Sequence, residues 1–244
     1  ILDPLNYLRS KLIPRSPIGY KGTFGHLTVV AGSVNMHGAA LLVADGALRS
    51  GVGTLRLYGN EETLKSLRGR ISEVTYGTEL NMDNLGDAVV FGPGLTREEE
   101  NKRRLEMLLM HYHGPLILDA IGIRLLAEWL KMQRHLPPTC QLYLTPHVGE
   151  MRSLLGVDKY TMTDVQSFAI KYHCHILHKG EVTTLFDTQG NWHHYSWPCS
   201  GLAKAGSGDV LAGILGGLAA SGHRGMDLLG VGCILHNLAG HEAS

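Results

Sequence analysis

Cysteine is scarce and scattered: Cys140, Cys174, Cys199 and Cys233 stand far apart, with no Cys-x-x-Cys pair. That spacing excludes a zinc ribbon and a disulfide framework, and it predicts reduced thiols in a cytoplasmic protein. Neither sign of charge is in surplus, since Lys and Arg number 22 and so do Asp and Glu. A protein that tracks nucleic-acid phosphates carries a basic excess, so nucleic acid is not expected as a partner. No apolar run reaches the ~20 residues of a membrane span, so none is expected. The opening Ile1-Leu2-Asp3-Pro4 has neither the basic nor the apolar region of a secretory signal. Without a Met at its start, the native chain is expected to begin further upstream. No Gly-x-Gly-x-x-Gly follows the first apolar strand, which disfavours a hydride-transferring dinucleotide fold, and no Gly-Lys-Ser/Thr completes a Walker loop. Repeats, low-complexity tracts and interdomain linkers are absent from the sequence too.

What is present is glycine, 31 residues of it in a chain of 244, much of it at the ends of apolar runs. The length and the 44% apolar content suit one large α/β domain over residues 1–244. Residues 1–20 read as a helical arm carrying Leu5, Leu8, Leu12 and Ile13, then an extended stretch marked by Pro14 and Pro17. Strands are predicted at Leu27–Gly32, Gly53–Tyr58, Ala88–Gly92, Leu116–Asp119, Leu142–Thr145, His175–His178 and Val182–Asp187, the last entering a hairpin through Gln189-Gly190-Asn191. Helices are predicted at 38–49, 97–111, 207–221 and 225–241. Alternating strands and helices indicate a three-layer α/β/α sandwich around a mostly parallel sheet. Ligands of such sheets bind beyond the carboxyl ends of the strands, where Gly32-Ser33, Gly92-Pro93-Gly94, Asp119, Thr145-Pro146-His147 and Lys179-Gly180 fall.

The strongest local signal is Ala205-Gly206-Ser207-Gly208-Asp209-Val210-Leu211-Ala212-Gly213. Two glycines permit a tight turn, and Val210, Leu211, Ile214, Leu215 and Leu218 then repeat with helical period. Amides at such a helix start bind anions, and Asp209 in the first turn can accept a proton from a substrate hydroxyl. Phosphoryl transfer needs that combination. A turn shaped by Gly206 and Gly208, with Asp209 merely complementing the helix dipole, fits the loop equally well. The run His173-Cys174-His175-Ile176-Leu177-His178 suggests metal binding, but in a strand His173 and His175 face away from Cys174 and His178. Tyr195 and Trp197, on one strand face, read as packing.

This loop resembles the C-terminal signature of NAD(P)H-hydrate dehydratases, and the resemblance runs in order along most of the chain. Tyr20-Lys21-Gly22-Thr23-Phe24-Gly25, Gly32-Ser33, Gly38-Ala39-Ala40, Leu48-Arg49-Ser50-Gly51-Val52-Gly53, Gly92-Pro93-Gly94-Leu95, Leu118-Asp119-Ala120, Leu144-Thr145-Pro146-His147-Val148-Gly149-Glu150 and His178-Lys179-Gly180 each match a family segment. The resemblance implies a ribokinase-like fold and nucleotide-driven dehydration of hydrated NADH or NADPH, by phosphorylating the ring hydroxyl and eliminating phosphate. It implies that Asp209 activates the hydroxyl above an anion hole at Gly206, Ser207 and Gly208. It puts Ala39, Gly94 and His147, with Asp209, against the hydrated cofactor. Lys179, Gly180, Glu181, Val182 and Thr183, with Gly208, would hold the nucleotide. ADP or ATP with Mg²⁺ is the implied co-substrate, and no ligand cluster names the metal's site. A homo-oligomer, with the leucine-bearing arm on a neighbouring subunit, and an epimerase on a separate chain complete the implied partners.

Three segments depart from the family pattern. Asp-Ala-Asp-x-Leu-Asn is here Asp119-Ala120-Ile121-Gly122-Ile123-Arg124, an Asn-Pro-Gly-Met approach is Cys199-Ser200-Gly201-Leu202, and Asp45 interrupts an apolar helix. Ile121 and Arg124 therefore point to an altered substrate pocket. A small-molecule kinase of vitamin-precursor type and a nucleotide-binding protein without activity are the competing readings.

Overall fold

The structure is a computed structural model describing residues 4–132, 135–137, 141–180, 182–195 and 199–243. Helix α1 (Pro4–Lys11) leads through an extended arm to β1 (His26–Val30), α2 (His37–Arg49), β2 (Thr54–Tyr58), α3 (Glu61–Leu67) and β3 (Val74–Gly77). Then come β4 (Ala88–Phe91), α4 (Glu99–His111), β5 (Pro115–Leu118), α5 (Ile121–Lys131), β6 (Gln141–Leu144), α6 (Val148–Leu155) and α7 (Met162–Tyr172). The chain closes with β7 (His175–His178), β8 (Thr183–Phe186), β9 (Trp192–Tyr195), α8 (Ser207–Ala220) and α9 (Gly225–Glu242). Among the described residues the strands form one sheet in the order β3-β2-β1-β4-β5-β6-β7-β8-β9. Pairing is parallel from β3 through β7 and antiparallel from β7 to β9.

Side chains alternate across this sheet and build two cores. Leu27, Val29, Val90, Ile117, Tyr143 and Leu177 join α2, α8 and α9 on one face. Val30, Val89, Leu116, Leu118, Leu144 and Ile176 join α4, α5, α6 and α7 on the other. Each fully buried aliphatic side chain contributes roughly 1.5–3 kcal/mol, so both faces of these short strands must be covered. The predicted three-layer sandwich is the observed one.

Helices α2 and α8 approach backbone to backbone. A Cβ on Gly213 would lie 2.1 Å from the Val43 carbonyl oxygen, and one on Gly46 would lie 2.5 Å from that of Val210. This contact fixes the start of α8 at the carboxyl end of the sheet. Asp45, on the same helix α2, faces solvent and leaves the contact undisturbed. The arm docks on α9, where Asp227 accepts from Tyr7 Oη and Lys11 Nζ, both at 3.1 Å.

Two expectations change. His173 is not a strand residue: it caps α7 in the left-handed region, with φ of 48°, and β7 begins at His175. The sequence pattern also passed over α3, β3, α5, α6 and α7. Trp197 lies outside the described residues.

Candidate active site

The carboxyl ends of β1, β4, β5, β6 and β7 carry a continuous row of polar groups. Asp119 directly follows β5 and is buried, with its Oδ1 accepting from Thr145 Oγ1 at 2.7 Å and from Lys179 Nζ at 2.8 Å. Thr145 follows β6 and Lys179 follows β7. The ladder continues past the strands, because Lys179 N donates to the Pro146 carbonyl at 2.8 Å and His147 bridges Lys179 in parallel. This extension carries the Lys179 ammonium to Asp119. An ion pair so placed is costly to break, since removing one partner strands the other charge in the interior. Lys179→Met is expected to destabilise the fold by about 3 kcal/mol, read as a lowered denaturation midpoint.

His147 caps α6. Its Nδ1 accepts from Gly149 N at 2.9 Å, while Glu150 Oε2 accepts from His147 N at 2.9 Å. With Nδ1 accepting, the ring proton sits on Nε2, 3.3 Å from Glu150 Oε1. Burial, and then the charges of Lys179 and Arg124, lower the His147 imidazole below its ordinary range. Glu150 is pushed up to about 7 by burial and by Asp119. Burial alone would lower the Lys179 ammonium, but the Asp119 carboxylate outweighs it and the net direction is upward.

Helix α8 opens on Gly206, whose φ of 88° lies in the left-handed region that glycine adopts freely. Among the described residues the backbone N–H groups of Gly208 and Asp209 donate to no carbonyl, while that of Ser207 reaches Lys204 O at 3.4 Å. Free amides and the positive dipole end thus coincide. A Cβ on Gly208 would sit 3.4 Å from Lys179 Nζ and 4.0 Å from Asp119 Oδ2, so the bare backbone there faces the ion pair. Asp209 is half-buried in this first turn. Burial and then Asp119 raise its carboxyl to about 6, with Lys179 partly opposing.

A cavity of about 320 Å³ opens beside this helix start, bounded by Lys179, Gly180, Val182, Thr183, Ser207 and Gly208. Its far wall comes from α9, where His236 is lowered to about 4 by burial. Outside that cavity's lining, Gly94 presses on the start of α2, where an added Cβ would meet Ala39 Cβ at 2.7 Å. One turn along α2, Leu42 reaches within 2.4 Å of where a Cβ on Gly206 would stand. The structure therefore gathers Lys179, Gly180, Val182, Thr183, Ser207 and Gly208 around one cavity. It joins Ala39 and Gly94 in one contact and sets His147 beside Lys179. Glu181 lies outside the described residues. The buried carboxyl of Glu150 and the α9 wall at His236 went unassigned in the sequence; Glu150 was detectable as the third helical residue of a capping box, and His236 carries no local signal.

A sheet of this order, with a glycine-lined helix start at its carboxyl edge, is a ribokinase-like α/β fold, and it superposes with a TM-score of 0.86 on a ribokinase-like superfamily protein of Enterococcus faecalis at 23% identity, over 99% of this chain and 87% of the other. Residues 27–244 match a family described as NAD(P)H-hydrate dehydratase, and the chain belongs to that family. It is 30% identical to a bifunctional NAD(P)H-hydrate repair enzyme of Moorella thermoacetica, over 98% of this chain and 48% of the relative. It is 31% identical to an ADP-dependent (S)-NAD(P)H-hydrate dehydratase of Listeria monocytogenes, over 82% of this chain and 74% of the relative. The crystal structure of an ADP/ATP-dependent NAD(P)H-hydrate dehydratase from Bacillus subtilis, co-crystallised with ATP and Mg²⁺, superposes with a TM-score of 0.83. That match has 28% identity and covers 96% of this chain and 86% of the other. The chain spans about half the length of the first curated relatives it matches. No helix among the described residues is long and apolar enough to cross a membrane.

Proposed function

We propose that this chain restores NADH or NADPH from the hydrated, damaged cofactor, in a dehydration driven by ADP or ATP. The observation that carries this is Asp209, in the first turn of α8 within the field of the Lys179–Asp119 pair, directly after Ser207 and Gly208, which line the cavity. The nucleotide occupies that cavity with its terminal phosphate over Gly208. The hydrated ring lies on the side of Ala39, Gly94 and His147.

Asp209 takes the proton of the ring hydroxyl. At a value of about 6 its carboxyl is mostly ionised at neutral pH, yet more basic than an ordinary aspartate. The hydroxyl oxygen attacks the terminal phosphorus as its bridging P–O bond breaks and the nucleotide departs one phosphate shorter (AMP from ADP, or ADP from ATP), while the Gly208 and Asp209 amides with Lys179 meet the charge on the transferring group. The ring nitrogen then expels phosphate as the carbon–oxygen bond breaks. Loss of a proton from the adjacent carbon completes the double bond. Hydroxide leaves poorly and phosphate leaves well, which is the reason for consuming a nucleotide.

Among the described residues no three His, Cys, Asp or Glu side chains converge on one point, so they form no metal cage. Mg²⁺ would travel with the nucleotide's phosphates and neutralise their charge there. We place the reaction in the cytoplasm, alongside an epimerase of the hydrated cofactor, in an oligomer of this chain.

Incubation with hydrated NADH, Mg²⁺ and either ADP or ATP, followed by the absorbance of reduced nicotinamide, tests the activity. Nucleotide-dependent recovery supports it and identifies the donor. No recovery with either nucleotide, from protein whose melting temperature still rises with nucleotide, would leave a binding protein without this activity.

A further inference from the structure

The exposed Arg124 guanidinium makes no side-chain ion pair or hydrogen bond among the described residues, while its backbone N–H donates to the Ala120 carbonyl at 3.3 Å. It sits one turn into α5, directly after the Asp119 corner, in a first turn that contains no acidic residue. A guanidinium is unfavourable at the positive end of a helix, so the local fold gains nothing from it. One turn further along, Glu128 is already engaged by Arg97 at 3.5 Å.

Its position relative to the site is well defined. The start of α5 is wedged against the Gly92-Pro93-Gly94 loop, since a Cβ on Gly122 would meet the Phe91 carbonyl oxygen at 2.6 Å. Helix α5 also packs against α6, whose cap is the half-exposed His147. The field of Arg124 is felt at His147 and Glu150, whereas Asp209 responds to Asp119 and Lys179. Arg124 thus stands at the outer end of the row that runs from His147 through Lys179 to Asp209. It does not line the nucleotide cavity, and the carboxylates near it are engaged elsewhere. Asp119 is committed to Lys179, and Glu150 to the cap of α6.

From this placement we infer that Arg124 is a specificity-determining residue, whose guanidinium binds a phosphate of the dinucleotide substrate as it lies along the mouth past His147. The inference rests on the function proposed above and adds to it a contact that the family's asparagine at this position cannot make through charge. The phosphate is either the pyrophosphate common to both hydrates or the 2′-phosphate that separates the NADPH form from the NADH form.

The experiment compares wild type, Arg124→Asn and Arg124→Lys with both hydrates at saturating nucleotide. Equilibrium binding of the products NADH and NADPH is measured by calorimetry on the same samples. Arg124→Asn is expected to raise the dinucleotide KM and the product Kd about 10- to 100-fold, with kcat and the nucleotide KM unchanged. Lysine, a point charge without the planar fork, recovers part of the loss. An equal loss for both dinucleotides assigns the pyrophosphate, and a loss confined to the NADPH forms assigns the 2′-phosphate. If wild type turns over but Arg124→Asn matches it in KM and Kd, the inference fails and the proposed function stands. If wild type does not turn over, the proposed function fails and product binding alone judges Arg124. NADPH binding that is absent, or equal in wild type and Arg124→Asn, overturns the inference.

Discussion

Asp209→Asn is expected to lower kcat between about a hundredfold and ten-thousandfold while leaving the protein at least as stable. The amide keeps the size and part of the hydrogen bonding of the carboxyl but cannot accept the hydroxyl proton. Substrate and nucleotide KM values should move little, because both ligands retain their contacts. The stability half follows from the raised value of the carboxyl. An acid whose folded value lies above its unfolded one favours its neutral form in the fold. Its ionisation therefore costs stability increasingly from about pH 4 to about pH 6, and fully above that. Asparagine mimics the neutral form, so the melting temperature of the variant at pH 8 should equal or exceed that of wild type. In wild type, kcat/KM should fall as pH drops through about 6 and the base becomes protonated. Residual activity of the variant should lose that limb. A variant that keeps wild-type kcat would remove Asp209 from the chemistry.

Gly208→Ala is expected to lower kcat/KM by about a hundredfold to a thousandfold without unfolding the protein. The added methyl would stand at ordinary contact distance, 3.4 Å from Lys179 Nζ, so the chain can accept it. It would nevertheless fill the space between the helix start and the ammonium, where the transferring phosphoryl group belongs. The rise in melting temperature on adding nucleotide should shrink with it. Gly206→Ala makes the contrast. At φ of 88°, with Leu42 Cδ1 only 2.4 Å away, a Cβ there strains the backbone and collides. That change should reduce stability itself, seen as a lower melting temperature without ligand. Equal behaviour of the two variants would argue against an anion hole centred on Gly208.

The layers of the fold were legible wherever a strand is a short apolar run stopped by a polar or glycine residue. The strand His175–His178 has the expected bounds, and the ends of the other predicted strands agree to within one or two residues. Helix α8 was equally plain, because glycine and aspartate announce its start and a long apolar period follows. Helix α5 was not, since Ala120 at φ of 50° takes the place of a capping side chain and nothing in the sequence marks the turn. Helix α6 hides its start in a histidine whose ring nitrogen does the work usually done by Ser, Thr or Asp. Edge strand β3 is only four residues long, buries Val74 alone, and carries little apolar alternation. Asp119, Lys179 and Asp209 were each visible as polar residues after apolar runs. Their meeting was not visible, because the Lys179–Asp119 bond depends on β5, β6 and β7 lying side by side. The wall at His236 reaches the cavity through the packing of α9 on α8, which no local pattern encodes.

The central claim is that the substrate hydroxyl becomes a phosphate ester before it leaves. Hydrated NADH carrying a heavy-oxygen label in that hydroxyl, turned over with nucleotide and Mg²⁺, tests it directly through mass spectrometry of the released orthophosphate. The label should appear in the phosphate, one atom for each NADH restored. Label found in water would mean that the hydroxyl leaves without being phosphorylated, and label retained in a stable phosphoester would mean that the chain is a kinase.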